Sequence, residues 1–401
     1  MAKPALTILA TAALSLAAVA CGPAPASATT FTVLHTFTNG SDGGNPIDGV
    51  TIDKAGNLYG TAASGGSGYG TAFKLKNVHG VYTFATLYAF TSGSDGAAPG
   101  ARLMPGPDGH LYGTTQQGGG GGGTVFDLGR VLRKGVDKET QLYHFGGSGS
   151  GYQPSNGDLA FDRAGHIYGT TYYGGSYNAG AVYELAKTPS GWTQTILHAF
   201  GATGDGAIPY SGVIADASGN LYGTTSAGGT AGYGTVYQLV PSASGWKENV
   251  IYNFQGQNDG ETPYAGLTFD KNGNLYGGAT DGGSNSGGVI FELSPSASGW
   301  TFTPIYSTPG WGVSGPFRTP YVAANGTIYG TTHCDGLNSA GSIYELTYSG
   351  STWTYTSLHD FTGGSDGGYV FANPVFDAHG DVFGTTQVGG SGYGVVWEVS
   401  P

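Results

Sequence analysis

The chain has 401 residues, of which 77 are Gly and 13 % are Phe, Tyr or Trp. The Gly residues follow no three-residue period, which excludes collagen, and the aromatic content excludes a disordered Gly/Ser chain. This much helix-breaking Gly also excludes a mainly helical protein. The formal net charge is −12 and the densest basic stretch is residues 130–134, so we expect no nucleic-acid binding and no basic membrane patch.

Residues 1–28 have the pattern of an export signal. A positive start is followed by an uncharged apolar run over residues 4–20, and residues 26–28 read Ala-Ser-Ala, an A-x-A cleavage site. The residues around Cys21 resemble a bacterial lipobox, which offers a lipid anchor on that Cys as the alternative. Both routes predict a secreted, periplasmic or cell-envelope protein without a transmembrane span. Cys334 is the only other Cys, so no intramolecular disulfide is predicted in the cleaved chain.

The remaining chain consists of seven copies of one unit of about 53 residues. Each copy contains the string L-Y-G-T or a close variant, and the first apolar residues of these strings lie 53–56 residues apart: Leu58, Leu111, Ile167, Leu221, Leu275, Ile328 and Val382. In residues 246–293, strand-like segments alternate with Gly-rich loops and one D-x-x-G-N turn. Four short strands per unit predict an all-β, seven-bladed β-propeller of antiparallel blades over residues 29–401.

The strand order within the unit also predicts how the ring closes. We expect the strand before the x-x-G-N turn to be innermost. Residues 31–38 are then an outer strand without a blade, and residues 395–399 are a third strand without a fourth. Pairing of these two segments would complete the C-terminal blade with the N-terminal strand and protect the ring against opening.

The unit F-x-G-x-D-G…P…G-L-x-x-D-x-x-G-N-L-Y-G-T-T…G-G…G-T-V-Y-x-L resembles the GloVer tandem repeat, named for Gloeobacter and Verrucomicrobia. The resemblance covers about residues 31–401. It implies a bacterial extracellular protein with a propeller-like fold. It implies no reaction, because it brings no shared catalytic residues to this chain.

Comparison of the seven units separates repeated residues from exceptional ones. His or Tyr fills one outer-strand position throughout: His35, Tyr88, Tyr143, His198, Tyr252, Tyr306 and His359. Asp recurs at one loop position in five units: Asp42, Asp95, Asp205, Asp259 and Asp366. A residue that recurs at one position in most units is interpreted as structural, and Asp beside Gly is also typical of turns. Calcium binding is the alternative for the loop Asp set.

The residues that break the repeat are predicted to lie on one face of the ring. Propeller loops before the innermost strand and between the second and third strands share that face, and units 3 and 6 lack the loop Asp there. The predicted ligand-binding residues are Tyr152, Asp158, Tyr173, Asp281, Trp311, Asp335, Asn373 and Gln387. Aligned inner strands also predict a near-axial ring of Gly49, Arg102, Asp158, Gly212, Gly266, Thr319 and Asn373. Aromatic and polar groups around such a mouth suit a glycan.

Three functions remain open from the sequence. Binding of an extracellular glycan or surface protein without catalysis is the first, and a purely structural envelope role is another. The enzymatic alternative is a polysaccharide lyase, with His333 or Tyr172 as the base and Arg102 or Arg318 as the clamp on a uronate carboxylate.

A glycoside hydrolase would instead need two carboxylates, for which Glu261, Asp281 and Asp335 are available. His333, Cys334 and Asp335 are consecutive and of metal-binding types, but neighbouring side chains on an extended chain point apart. No metal site is therefore predicted at these three residues, and no cofactor is predicted apart from the calcium alternative for the loop Asp set.

Overall fold

The computed structural model describes residues 29–129, 139–146, 149–309 and 315–401. These residues form seven antiparallel blades around a central channel, each with four strands that we label A to D from the channel outward. The all-β prediction and the blade number are confirmed. In the described parts of the chain, no helix has the length and apolar character needed to cross a membrane.

Blades 1 to 7 follow the order of the L-Y-G-T strings. The A strands are Thr51–Ile52, Met104–Pro105, Ala160–Phe161, Ile214–Ala215, Thr268–Phe269, Tyr321–Val322 and Val375–Phe376. The B strands are Leu58–Ala62, Leu111–Gln117, Ile167–Tyr173, Leu221–Thr225, Leu275–Ala279, Ile328–Thr332 and Val382–Thr386. The C strands are Thr71–Val78, Thr124–Asp127, Ala181–Thr188, Thr235–Ser242, Ser286–Ser296, Ser342–Tyr348 and Val395–Ser400. The D strands are Val81–Ala89, Thr140–His144, Gly191–Ala199, Gly245–Asn253, Gly299–Pro309, Trp353–Asp360 and Thr30–Thr36.

Short additional strands extend three blades at the loops before strand A. Ala97–Pro99 and Tyr152–Pro154 pair with the ends of strands B in blades 2 and 3, and Gly206–Ala207 pairs with Ala227–Gly228 in blade 4. These pairings tie the loops before strand A to the B strands in blades 2 and 3, and to the segment just after strand B in blade 4.

The position of each strand follows from its side chains. Leu58–Ala62 is buried at every residue. Val81–Ala89 largely alternates between exposed and half-buried residues, as expected for an outer strand with one solvent-exposed face. The Gly of the Y-G-T string allows strand C to place an aromatic ring over strand B. A Cβ on Gly60 would lie 2.5 Å from Cζ of Phe73. The repeated Gly is therefore required by close packing inside the blade.

Hydrophobic clusters join neighbouring blades. One cluster combines Leu58 and Phe73 of blade 1 with Phe383 and Val396 of blade 7. A Phe directly after strand D, fully buried in six blades, contributes to the same layer: Phe37, Phe90, Phe145, Phe200, Phe254 and Phe361. The hydrophobic core of this protein thus consists of separate clusters between neighbouring blades, arranged around the ring.

The predicted closure of the ring is confirmed. Thr30–Thr36 pairs antiparallel with Val395–Ser400, with Phe31 opposite Val399 and Thr36 opposite Val395. Blade 7 therefore contains strands from both ends of the described chain.

The repeated His/Tyr position forms what we call the outer belt, namely these seven side chains together with the residues that they contact. Each belt residue reaches toward strand D of the next blade: His35 stacks on Phe84 at 3.9 Å, and Tyr252 stacks on Phe302 at 4.1 Å between ring centroids. In the five repeats that carry the loop Asp, the belt residue also bonds that Asp, at 3.2 Å for His35–Asp42. The loop carboxylates also accept backbone N–H groups, as for Thr91 N to Asp95 at 2.7 Å. Turn geometry thus accounts for these Asp residues, and calcium binding to them stays a prediction.

Candidate functional site at the mouth of the channel

One end of the channel, which we call the mouth, is formed by the loops before strand A and after strand B. Two residues before the near-axial ring, the seven blades carry different residues at this mouth, and Gly100 adds no side chain there: Ile47, Gly100, Asn156, Tyr210, Tyr264, Phe317 and Phe371. Blades 4 to 7 therefore supply four aromatic rings, whereas blades 1 to 3 supply smaller residues. This asymmetry leaves room on one side of the mouth.

A cavity of about 360 Å³ lies at this place. Its lining is rich in amides and aromatic rings: Ile47, Gln116, Gln153, Asn156, Tyr172, Tyr173, Tyr210, Arg318, Phe371 and Gln387. Tyr172, Tyr173, Arg318 and Gln387 are thus brought together as predicted members of one face. No carboxylate is among these lining residues.

Asn156 organises the polar part of the cavity. Its amide nitrogen donates to the hydroxyls of Tyr172 at 3.1 Å and Tyr210 at 3.3 Å, and its amide oxygen accepts a hydrogen bond from Gln116 Nε2. Because Asn156 is only 5 % exposed, these bonds fix two phenol groups from neighbouring blades. The site is therefore preorganised by one side chain that the sequence analysis did not single out.

Arg318 lies under the cavity and is 4 % exposed. Its Nε donates to the carbonyl of Phe371 at 2.8 Å and its Nη1 to the carbonyl of Asn156 at 2.9 Å, while Nη2 donates to the carbonyl of Ile47. The Asp48 carboxylate lies 4.0 Å from Nη1. Arg318 thus ties blades 1, 3, 6 and 7 together across the axis, a role that leaves few of its N–H groups for a ligand.

Tyr172 and Tyr173 differ in the chemistry that they offer. Burial, followed by the neighbouring Tyr210, raises the pKa of Tyr172 well above its ordinary value. Its hydroxyl is therefore neutral at pH 7, which disfavours the predicted role as a base and suits a hydrogen-bonding role. Tyr173 is 39 % exposed and stacks on Tyr152 at 5.4 Å, so it presents an open ring face at the cavity edge.

His333 lies beside the cavity in an aromatic cluster. Its ring centroid is 4.1 Å from that of Phe371 and 5.0 Å from that of Phe317. Burial and the charge of Arg318 lower the pKa of His333 to about 4, so the imidazole is neutral at pH 7. Its buried Nδ1 has no hydrogen-bond partner among the described residues.

Arg102 faces away from the mouth. Its Nε donates to Asp158 Oδ1 at 3.1 Å and its Nη2 to Oδ2, which makes a bidentate ion pair between neighbouring blades. Arg102 and Asn373 line a second cavity of about 400 Å³ farther along the channel, whereas Arg318 lines the first. Asn373 accepts the backbone N–H of Thr319 at 2.9 Å, so the near-axial ring is held together by its own members.

The remaining predicted residues lie outside the mouth cavity. Asp281 and Glu261 form a backbone bridge, with N to O distances of 2.8 and 3.1 Å, and burial followed by Glu261 raises the pKa of Asp281. Asp335 is 8 % exposed and accepts the backbone N–H of Gly336 at 2.7 Å. Trp311 lies outside the described residues.

Sequence reasoning missed Gln116, Ile47, Asn156, Tyr210 and Phe371 as lining residues. Aligning the repeats at the position two residues before the near-axial ring would have found the last four, because that position changes from blade to blade. The Arg102–Asp158 ion pair could also have been predicted from the sequence, because the two residues hold the same position of the near-axial ring on adjacent blades.

Comparisons with known proteins agree with this architecture. The profile of the Gloeobacter/Verrucomicrobia repeat matches residues 24–215, 154–310 and 270–401. An ulvan lyase of polysaccharide lyase family PL25 superposes with a TM-score of 0.52 at 11 % identity, covering 88 % of this chain and 92 % of the lyase. A candidate 6-phosphogluconolactonase from Bacteroides uniformis gives 0.50 at 15 % identity, covering 79 % and 84 %. None of the curated proteins compared with the chain matches it.

At these identities the two solved structures share the propeller fold with this protein and carry no assignment of its chemistry. The repeat profile, in contrast, covers every blade and coincides with the unit that builds the ring. The chain belongs to the Gloeobacter/Verrucomicrobia repeat family.

Proposed function

We propose that the protein is a non-catalytic glycan-binding propeller whose ligand occupies the mouth cavity. The carrying observation is that four amide side chains and two phenol groups converge on one cavity beside the open ring of Tyr173. Sugar hydroxyls both donate and accept, and amides offer both functions within one side chain. An exposed ring next to such groups can cover the apolar face of a sugar.

The size of the cavity supports a short glycan segment. A volume of about 360 Å³ lies at the lower end of the range for small-molecule sites. Because carboxylates are absent from the lining residues, the cavity suits neutral sugars and also tolerates a uronate near Arg318.

Lyase activity is the second candidate, and one observation favours it. His333 is neutral at pH 7 and has an unpartnered Nδ1 near the positive charge of Arg318, and a lyase uses a neutral base close to a positive charge. Tyr172 would then serve as the acid, because its hydroxyl keeps its proton at pH 7. The pair Arg102–Asp158 does not line the same cavity, so Arg102 has no part in this alternative.

A polysaccharide panel tests both candidates. The purified protein is titrated with neutral and uronate-containing oligosaccharides, while absorbance of unsaturated products and release of reducing ends are followed. We expect saturable binding without products. Tyr173→Ala should lower the affinity about tenfold or more, because it removes the stacking face. Tyr69→Ala is the matched control, since Tyr69 is an exposed Tyr (45 %) that does not line the cavity.

The outcomes separate the candidates. Unsaturated products that disappear in His333→Ala would replace the binding role by a lyase, and reducing ends without unsaturation would indicate a hydrolase. Equal loss of affinity in Tyr173→Ala and Tyr69→Ala would place the ligand elsewhere. Absence of binding across the panel would leave the structural envelope role in its place.

Export is part of the same proposal, and residues 1–28 lie outside the described residues. Mass spectrometry of the protein expressed in a bacterial host with its full leader tests it. A mature chain that starts at Thr29 supports release, a diacylglyceryl-modified chain starting at Cys21 supports a lipid anchor, and an unprocessed chain in the cytoplasm contradicts export.

A further inference from the structure

The outer belt contains three His–Asp pairs, and one of them has different surroundings. His35 and His359 bond Asp42 and Asp366 at 3.2 and 3.1 Å. A Phe of the next blade stacks on each of these His rings, at 3.9 Å for Phe84 on His35 and at 3.8 Å for Phe31 on His359. The third pair, His198–Asp205 at 3.0 Å, meets Glu248 at the place of the Phe.

Glu248 adds a third ligand-type atom to that pair. Its Oε2 lies 3.9 Å from His198 Nε2, and one ligand atom from each of the three residues lies within 4.8 Å of the others. The Glu248 and Asp205 carboxylates therefore face the same point, with ligand atoms no more than 4.8 Å apart. Two buried carboxylates this close repel each other, and a proton or a cation between them would relieve the repulsion.

The burial of the cluster makes this repulsion stronger. The side chains of Asp205, Glu248 and His198 are 5 %, 14 % and 21 % exposed. Glu248 Oε1 is buried and has no hydrogen-bond partner among the described residues. A buried carboxylate oxygen without a partner is costly, so an additional group at this oxygen would be stabilising.

Asp205 is already held in a ligand-like orientation. It accepts the backbone N–H groups of Gly201 at 3.1 Å and Gly206 at 2.6 Å, on Oδ2 and Oδ1 respectively. Such outer contacts fix a carboxylate in metal sites.

We propose that His198, Asp205 and Glu248 form a binding site for a divalent cation of the zinc type at the junction of blades 3 and 4. One imidazole nitrogen and two carboxylate oxygens are ligands that Zn²⁺ takes at about 2.0–2.2 Å, with water in the fourth position. Ca²⁺ takes six to eight oxygen ligands, which this set does not offer. The cation would join strand D of blade 3, and the loop that follows it, to strand D of blade 4. This site lies on the belt and is independent of the function proposed for the mouth.

A second group of metal-binding residue types serves as a control. Asp377, His379 and Asp381 lie on one turn, where the His379 side chain is 84 % exposed. Zinc added in excess could associate with such a surface group, so His379→Ala is needed to identify that contribution.

The test is titration of the chelator-stripped full chain with Zn²⁺ at pH 7 by calorimetry, together with the melting temperature with and without zinc. We expect one tight site per chain and a melting temperature that rises with zinc. Glu248→Phe should lower the affinity at least tenfold and abolish the zinc-dependent rise. This variant copies blades 1 and 5, where Phe84 and Phe302 hold the same position, so it is expected to fold.

His359→Gln is the matched control in a belt pair without a third carboxylate, and it should bind zinc like the wild-type protein. Glu248→Gln, which keeps the side-chain size, provides the same test if Glu248→Phe does not fold. Wild-type binding equal to that of the Glu248 variants would overturn the proposal and leave a shared proton between the carboxylates. Zinc binding that disappears in His379→Ala would also overturn it.

Discussion

The outer belt and the mouth are built from the same seven repeats, but they differ in how much the residue at one repeat position changes from blade to blade. In the belt, His or Tyr holds one position in all seven repeats and contacts the next blade, and in the five repeats that carry the loop Asp it also bonds that Asp. In the mouth, the position two residues before the near-axial ring changes from Gly100 to Asn156 to Tyr210 in consecutive blades. The first region tolerates exchange because its contacts repeat, whereas the second has one cavity that depends on single residues.

This difference shows how a repeat protein separates stability from recognition. Belt contacts are distributed over all junctions, so each is a modest share of the total. The mouth cavity relies on Asn156 and Arg318, each of which contacts groups from more than one blade. Substitutions in the two regions should therefore affect different measurements.

The largest loss in the free energy of unfolding is expected from a substitution in the buried Phe layer next to the belt. Phe37→Ala removes a fully buried ring that packs on Phe73 at 5.2 Å, and it should lower the free energy of unfolding by about 3–5 kcal/mol in urea denaturation. Thr32→Ala, at an exposed position of the same segment, should change it by about 0.5 kcal/mol or less. Similar losses in both variants would contradict the assigned packing.

A pH-dependent effect of about 1–2 kcal/mol is expected from a belt carboxylate. Burial alone would raise the pKa of Asp366, but hydrogen bonds from Thr362 and His359 outweigh it and lower the pKa below its ordinary value. Such a carboxyl stabilises the folded state above its unfolded pKa of about 4 and loses that contribution as the pH falls through the folded value. Asp366→Asn should thus be destabilising at pH 7, and its difference from the wild-type protein should shrink in acid. A constant difference across this range would refute the argument.

In the mouth we expect an effect on binding that exceeds the effect on folding. Asn156→Ala removes the donors to Tyr172 and Tyr210, and it should weaken glycan binding about tenfold, or about 1.4 kcal/mol. The stability loss should stay below about 1 kcal/mol, because the cavity is open to water that can replace these bonds. Calorimetric titration and urea denaturation of the same preparation measure both quantities. If Asn156→Ala lost more free energy of unfolding than of glycan binding, the claim that the mouth serves binding and the belt serves stability would be contradicted.

The smallest change in the free energy of unfolding is expected for a His-to-Tyr substitution, because both residue types already occur at this belt position. His359→Tyr should change the free energy of unfolding by about 1 kcal/mol or less, because Tyr252 makes the equivalent hydrogen bond to Asp259 at 2.9 Å and stacks on Phe302. Thermal and urea denaturation provide the measurement. A loss above about 2 kcal/mol would show that belt residues are not interchangeable.

Much of the fold could be predicted because seven copies of one pattern act as an internal alignment. The blade number, the strand order and the closing pair of segments all follow from it. The site was predicted only as a face, since neighbouring blades determine which side chains meet. The buried position of Arg318 depends on carbonyls from three other blades, and Glu248 meets His198 only because adjacent D strands run side by side. Contacts between units are not visible in the pattern within one unit.

The shared seventh blade has a consequence for the order of folding. Thr30 is paired with Ser400, so a strand that is synthesised early has no partner until residues 395–400 have been made. Until then the edge of this strand remains unpaired, which exposes it to association with other chains. Completion of the ring is a long-range step that no shorter fragment can perform, and a chain stopped before residue 395 would leave its first strand without a partner.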